Sequence, residues 1–178
     1  MRRTLALAFG AAAVLGLLTT GCTGSSSDSS ASGSESQGSA ADPGGQASFE
    51  FDRYEVQAKV ASDKATFSAS ETGQEPTGAA STPLRDGGFA VYLAGRADVI
   101  NGVVVAPQAM TLASPLTGGA EIVGDAPCGE WVCTQFSMAQ PDDSEGVELV
   151  LDSEDGTARI PVRAMPAGRT QASSGPLT

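Results

Sequence analysis

Cys128 and Cys133 enclose Gly129, Glu130, Trp131 and Val132. In an oxidising compartment such a pair bonds to itself across a tight loop. As thiolates, the same sulfurs could instead hold a soft metal, with a thioether from Met110 or Met138 completing a Cu(I) site. The spacing is not the Cys-X-X-Cys of redox enzymes. Trp131, the only tryptophan, either covers the disulfide from the core or stacks on a sugar or a partner. Two acidic groups, residues 142–145 and 152–156, offer oxygens to calcium. Neither follows the Asp-x-Asp-x-Asp-Gly loop, and hairpin turns are commonly acidic. No metal and no cofactor is assigned.

The chain contains no histidine. That excludes Ser-His-Asp and Cys-His catalysis and every metal site built on imidazole. Paired carboxylates could run glycoside chemistry, but a small β domain rarely builds the deep cleft it requires. No catalytic residue is assigned, and the chain is not expected to be an enzyme. Its net charge of −11 repels phosphate backbones and anionic headgroups, so nucleic acid is not an expected partner.

The remaining cysteine, Cys22, follows a different kind of stretch. Arg2 and Arg3 precede an uncharged run rich in Leu, Ala, Val and Gly, and Thr19, Thr20 and Gly21 lead into Cys22. A short basic start, a brief apolar core and a small-residue exit are the layout of an export signal. The core falls short of the roughly 20 apolar residues of a spanning helix. The segment resembles the signal peptide of bacterial lipoproteins, with residues 18–22 (Leu-Thr-Thr-Gly-Cys) in the place of the lipobox. Thr19 departs from the leucine commonest at that position, although Leu18 is adjacent. The resemblance implies cleavage before Cys22, diacylglyceryl attachment to its thiol and acylation of the new amino terminus. It covers only the first 22 residues and implies nothing about the domain behind them. The expected location is the cell membrane, lipid-anchored, on the extracytoplasmic side.

The elements that must position Cys128, Trp131 and Cys133 come after a tether. Residues 23–47 are nearly all Ser, Gly and Ala, without the large apolar side chains that offset ordering entropy. As a flexible coil they would span about 25–30 Å. From residue 48 the pattern changes. Phe49 and Phe51 alternate with polar residues, and Tyr54, Val56, Ala58 and Val60 alternate on the opposite parity, so a bulge or break is expected at Asp52 and Arg53. Residues 61–63 form a turn and Ala65, Phe67 and Ala69 the return strand. Residues 70–88 read as a loop. The apolar run 89–94 predicts a central strand covered on both faces. Asn101-Gly102 between β-branched residues predicts a hairpin turn. Short strands follow near residues 110–112, 120–123 and 131–138. Val147, Leu149 and Leu151, then Ala158, Ile160 and Val162, give a last hairpin with one face buried.

Short strands at regular spacing without helical periodicity predict a single all-β, immunoglobulin-like β-sandwich. The expected organisation is a signal peptide at 1–21, lipidated Cys22 and a disordered tether over 22–47, the sandwich at 48–166 and a flexible tail at 167–178. The function expected of it is non-catalytic: a binding or accessory module for a protein or a cell-wall component. An extracytoplasmic metal-binding protein is the alternative.

Overall fold

The computed structural model describes residues 44–71, 78–113, 120–142 and 146–178. Cys22, the signal and the tether as far as residue 43 lie outside the described residues. The described residues are all β, in three stacked sheets. β1 (Gly45–Phe51), β2 (Tyr54–Ala61), β3 (Lys64–Glu71) and β4 (Ala79–Pro83) form an antiparallel meander. The central sheet is built from β5 (Gly88–Gly95), β6 (Val99–Ala106), β8 (Glu121–Cys128), β9 (Trp131–Ala139) and β12 (Thr170–Pro176), in the order β12-β5-β6-β9-β8. The third sheet comprises β7 (Thr111–Leu112), β10 (Val147–Ser153) and β11 (Gly156–Val162), in the order β11-β10-β7.

The central sheet explains why residues 89–94 read as continuously apolar. Along β5, Ala90, Tyr92 and Ala94 face a first core shared with Phe49, Val56, Phe67 and the rest of the meander. Phe89, Val91 and Leu93 face a second core shared with Leu149, Leu151, Ile160 and Val162. With side chains alternating across the pleat, a strand buried on both faces must be apolar at every position. The all-β sandwich expectation holds, and the sandwich is three sheets deep. The meander also meets the central sheet at both margins, β1 running beside β8 and β4 beside β12.

Several local expectations change. The parity shift at Asp52 and Arg53 is a chain reversal, with Phe51 paired to Tyr54 across the two-residue turn and Asp52 at φ 37°. Cross-strand partners share a face, so a hairpin resets the parity as a bulge would. Asn101 and Gly102 are not a turn. They lie inside β6, paired on one side with Ala94 and Leu93 and on the other with Ser137 and Phe136. Gly102 is required there because the Phe136 ring lies across it: a Cβ would sit 2.2 Å from Phe136 Cζ. The local turn preference yields to a ladder satisfied on both sides and to a glycine–aromatic pair.

Residues 70–88 are not wholly loop either, since β4 occupies part of them; residues 72–77 lie outside the description. The strand expected at 120–123 extends to Cys128 as β8. The domain starts before residue 48, Gly45 already pairing with Val60. The expected flexible tail is instead largely β12, which covers the margin of β5 from Thr170↔Ala94 to Pro176↔Gly88. Its side chains are polar, but its backbone supplies the hydrogen bonds that an exposed sheet edge lacks. Thr157 and Thr178 then exchange two backbone hydrogen bonds of 3.1 and 3.2 Å.

Candidate functional site

Cys128, Trp131 and Cys133 fall at one end of the domain, whereas Met138 lies toward the other end of β9, paired with Ile100. Cys128 and Cys133 are joined in a disulfide across the β8–β9 turn, and both are fully buried in the first core. Trp131 is half-buried and packs against that core. Its exposed flank lines a cleft of about 190 Å³ with Gly44, Ala61, Ser62, Asp86 and Glu130. The disulfide removes both thiolates from the donor set of a soft-metal site. Among the described residues no group of three or more His, Cys, Asp or Glu side chains is placed to hold a metal ion. Of the acidic groups, residues 143–145 lie outside the description. In the other, Asp152 accepts a 2.6 Å hydrogen bond from the Thr157 hydroxyl, and the Ser153 hydroxyl donates to the Gly156 carbonyl. Those contacts close the hairpin.

The opposite end holds a cavity that sequence reasoning missed. It measures about 310 Å³, and Tyr54, Ser70, Tyr92, Arg96, Arg169 and Thr170 are among its lining residues. Both of the chain's tyrosines are here. Tyr54 opens β2, directly after the first turn, and Tyr92 lies in the apolar middle of β5. Arg96 follows the last residue of β5 and Arg169 immediately precedes β12.

The frame around these side chains is held by backbone groups and one amide. Arg96 donates its backbone N–H to the Val99 carbonyl at 2.8 Å. The Gln140 side chain donates to the carbonyls of Arg96 and Met165 at 2.8 and 2.6 Å, and accepts from the Met165 N–H at 2.9 Å. Gly95 and the 168–169 segment exchange two further backbone bonds, Gly95 N–H to the Arg169 carbonyl and Gly168 N–H to the Gly95 carbonyl. The β5–β6 turn and the approach to β12 are thereby fastened together.

No protein-family model matches this chain. No curated protein and no solved structure matches it either.

The Arg96 guanidinium carbon lies 3.5 Å from the centroid of the Tyr54 ring, a cation–π contact. Tyr54 also stacks on Phe51, with centroids 5.2 Å apart. These contacts engage the ring face and leave the hydroxyl unserved. Tyr54 Oη and Arg96 Nε are both buried and have no hydrogen-bond partner among the described residues. A buried polar group without a partner costs about 1–3 kcal/mol, and both of these are sealed from solvent where the Arg96 guanidinium packs on the Tyr54 ring. Glu71 also lines the cavity.

Tyr92 shows the electrostatic character of this end. Burial raises its phenol pKa above the ordinary tyrosine value, and the neighbouring Tyr54 raises it further. A hydrogen bond with the Thr170 side chain and the charge of Arg96 pull the other way without cancelling the rise. A raised native pKa means that the unfolded chain releases this proton first. Tyr92 therefore contributes stability that is present below about pH 10 and lost as the pH climbs through the native value. Denaturation measured from pH 8 upward should show stability falling above about pH 10, with Tyr92→Phe flattening the fall. An unchanged alkaline slope in Tyr92→Phe would refute the assignment.

Proposed function

We propose that this chain is a lipid-anchored, non-catalytic binding module on the extracytoplasmic face of the cell membrane, held through lipid on Cys22 and engaging a protein or cell-wall component. The observation that carries the binding half is the placement of the Tyr54–Arg96 cavity. Described residues begin at Gly44, beside Val60 and Gly129 at one end of the meander. Tyr54 lies at the other end of the same strand as Val60. Six steps of about 3.3 Å separate the two, roughly 20 Å. A cavity lined by Tyr54, Tyr92, Arg96 and Arg169 thus opens at the far end of the domain from Gly44.

Support for the anchor comes from the residues before Cys22. A basic start, an apolar core and a small-residue exit argue for export. Two acyl chains hold a bilayer far better than one, since each buried CH₂ adds about 0.8 kcal/mol. Cys22→Ala removes the thiol to which the lipid attaches. The variant should lose incorporation of a fatty-acid analogue in growing cells and leave the membrane fraction. Undiminished labelling of Cys22→Ala would sink the anchor. For the binding half, cross-linking on intact cells should capture a partner through residues near Arg96 and Arg169. Capture confined to the Trp131 end would move the working surface to the disulfide hairpin.

A further inference from the structure

We propose that Asp86 is a site of spontaneous covalent modification: its carboxyl closes on the Gly87 nitrogen to a succinimide that reopens as isoaspartate, and the change loosens the end of β12.

Aspartate or asparagine before glycine closes this ring most readily, because glycine has no side chain to crowd its nitrogen. The step balances with water alone. The Gly87 nitrogen gives up its proton and bonds to Cγ of Asp86, whose protonated carboxyl loses its hydroxyl, and the two leave as water. One water then adds back to either ring carbonyl. Addition at the side-chain carbonyl restores aspartate. Addition at the main-chain carbonyl leaves the backbone running through Cβ and Cγ, one methylene longer.

The chain has three such pairs, Asp86-Gly87, Asn101-Gly102 and Asp155-Gly156. Both reacting groups are covalently close in each, so the fold selects among them through the backbone around the glycine. Asn101-Gly102 is intrinsically the fastest, since a neutral amide is attacked where an ionised carboxylate resists. It is also the most firmly locked. Asn101 is 8 % exposed, Gly102 pairs with Leu93 on one side and Phe136 on the other, and the Phe136 ring lies across it.

Asp155-Gly156 lies at a surface turn but is tied at both ends. The Asp155 N–H donates to the Ser153 hydroxyl at 3.3 Å, and that hydroxyl donates to the Gly156 carbonyl at 3.1 Å. Thr157 turns its backbone groups outward to Thr178. Successive residues alternate, so those of Gly156 point into the ladder, toward its partner Ser153.

Asp86-Gly87 has neither restraint. Both residues are exposed, in a turn closed by the Gly88 N–H bonding to the Arg85 carbonyl at 2.9 Å. Gly87 sits at φ 66°, and its N–H makes no hydrogen bond among the described residues. A Cβ on Gly87 would meet nothing within 4 Å, so the space around it is open. Ring closure requires rotation about the Cα–C bond of Asp86 to bring the nitrogen onto Cγ. An exposed turn permits that swing, and a paired ladder does not.

The same turn fastens the end of β12. The Gly87 carbonyl accepts a 3.3 Å hydrogen bond from the Leu177 N–H, one residue before Thr178 pairs with Thr157. A methylene inserted between residues 86 and 87 displaces that carbonyl and frees Leu177 from the central sheet.

The full chain is aged in mildly acidic heavy-oxygen water, where each ring opening installs one heavy oxygen, and the label is placed by peptide mapping and fragmentation in a mass spectrometer. Label should accumulate at Asp86 several-fold faster than at Asp155, with Asn101 unreacted. In denaturant Asn101 should become the fastest of the three. Asp86→Glu, which can close only a slower six-membered ring, should lose the label at position 86 and keep the turn. In the isomerised fraction, amide exchange at Leu177 and Thr178 should quicken several-fold while that at Gln171 and Ser173 stays as in the parent. No label at Asp86, or equal label at Asp86 and Asp155, overturns the proposal. So does Asn101 reacting as fast in the folded chain as in denaturant, since the fold then selects nothing. Unchanged exchange at Leu177 and Thr178 in isomerised protein overturns the coupling to β12.

Discussion

Truncating Ile160 to alanine should destabilise the domain by about 2–5 kcal/mol, the usual range for removing a large aliphatic side chain from a packed core. Ile160 is 1 % exposed and lies in the second core, paired across the hairpin with Leu149. The sheet it belongs to has little else to hold it. β7 contributes two residues, so the β10–β11 hairpin stays on the central sheet mainly by burying Leu149, Leu151, Ala158, Ile160 and Val162. Arg159, one residue away, faces water and pairs with Glu148 at 3.0 Å, with over half of each side chain exposed. Such a pair contributes little, and Arg159→Ala should stay within about 0.5 kcal/mol. Chemical denaturation of the two variants tests the facing of β11 directly. A larger loss for Arg159→Ala would mean that the strand is turned over.

That hairpin was fully legible in the sequence, and the reason separates it from what was not. Its apolar residues recur at every second position on two arms joined by an acidic turn, a pattern that only one facing satisfies. Residues 89–94 were legible for the complementary reason, since a strand apolar at every position must be covered twice. What covers it was not legible. Alternation identifies a buried face without saying which sheet lies on it, so the separation of Phe67 and Leu149 into two cores on opposite sides of β5 had no sequence signal. Asn101-Gly102 failed because a turn dipeptide states a local preference, whereas Phe136, 34 positions along, decides the outcome through a nonlocal pairing. β12 failed because polar side chains say nothing about backbone hydrogen bonding.

The Tyr54–Arg96 cavity was missed for a related reason. Tyr54 and Arg96 stand at two different turns, Tyr92 inside an apolar run and Arg169 in a polar tail. The pairings β2–β3, β5–β6 and β12–β5 bring them to one end of the fold. A clue existed in that both tyrosines sit in or beside strongly apolar strands, where a phenol hydroxyl needs a partner. The disulfide was nominated correctly because it depends on two residues in one hairpin, the shortest-range feature of the fold.

Replacing both Cys128 and Cys133 by alanine should cost about 2–5 kcal/mol, the usual range for removing a native disulfide from a small domain. Closing a six-residue loop accounts for about 2 kcal/mol of that as unfolded-chain entropy. The rest comes from packing, because both sulfurs are fully buried in the first core with Trp131 and Ala126 against it. The loss should not be spread evenly. The turn held by the bond contains Gly129, at φ 74°, and Gly129 bridges to Gly44 where the described chain begins. The approach is close enough that a Cβ on Gly45 would lie 1.8 Å from the Gly129 backbone nitrogen. The β8–β9 turn is thus the wall against which the start of β1 is seated. Loosening that turn removes one side of the seat while leaving the β1–β2 ladder from Ser48 onward intact. Amide exchange at Gly44, Gly45 and Gln46 should therefore accelerate far more than at Glu50 or Phe51, and the first protected residue of β1 should shift toward residue 48. Thiol titration of the parent, unfolded without reductant, should find neither of these cysteines reactive. If the double variant loses less than about 1 kcal/mol, well below the disulfide range, or if exchange quickens uniformly along β1, the bond is not what holds this end of the domain.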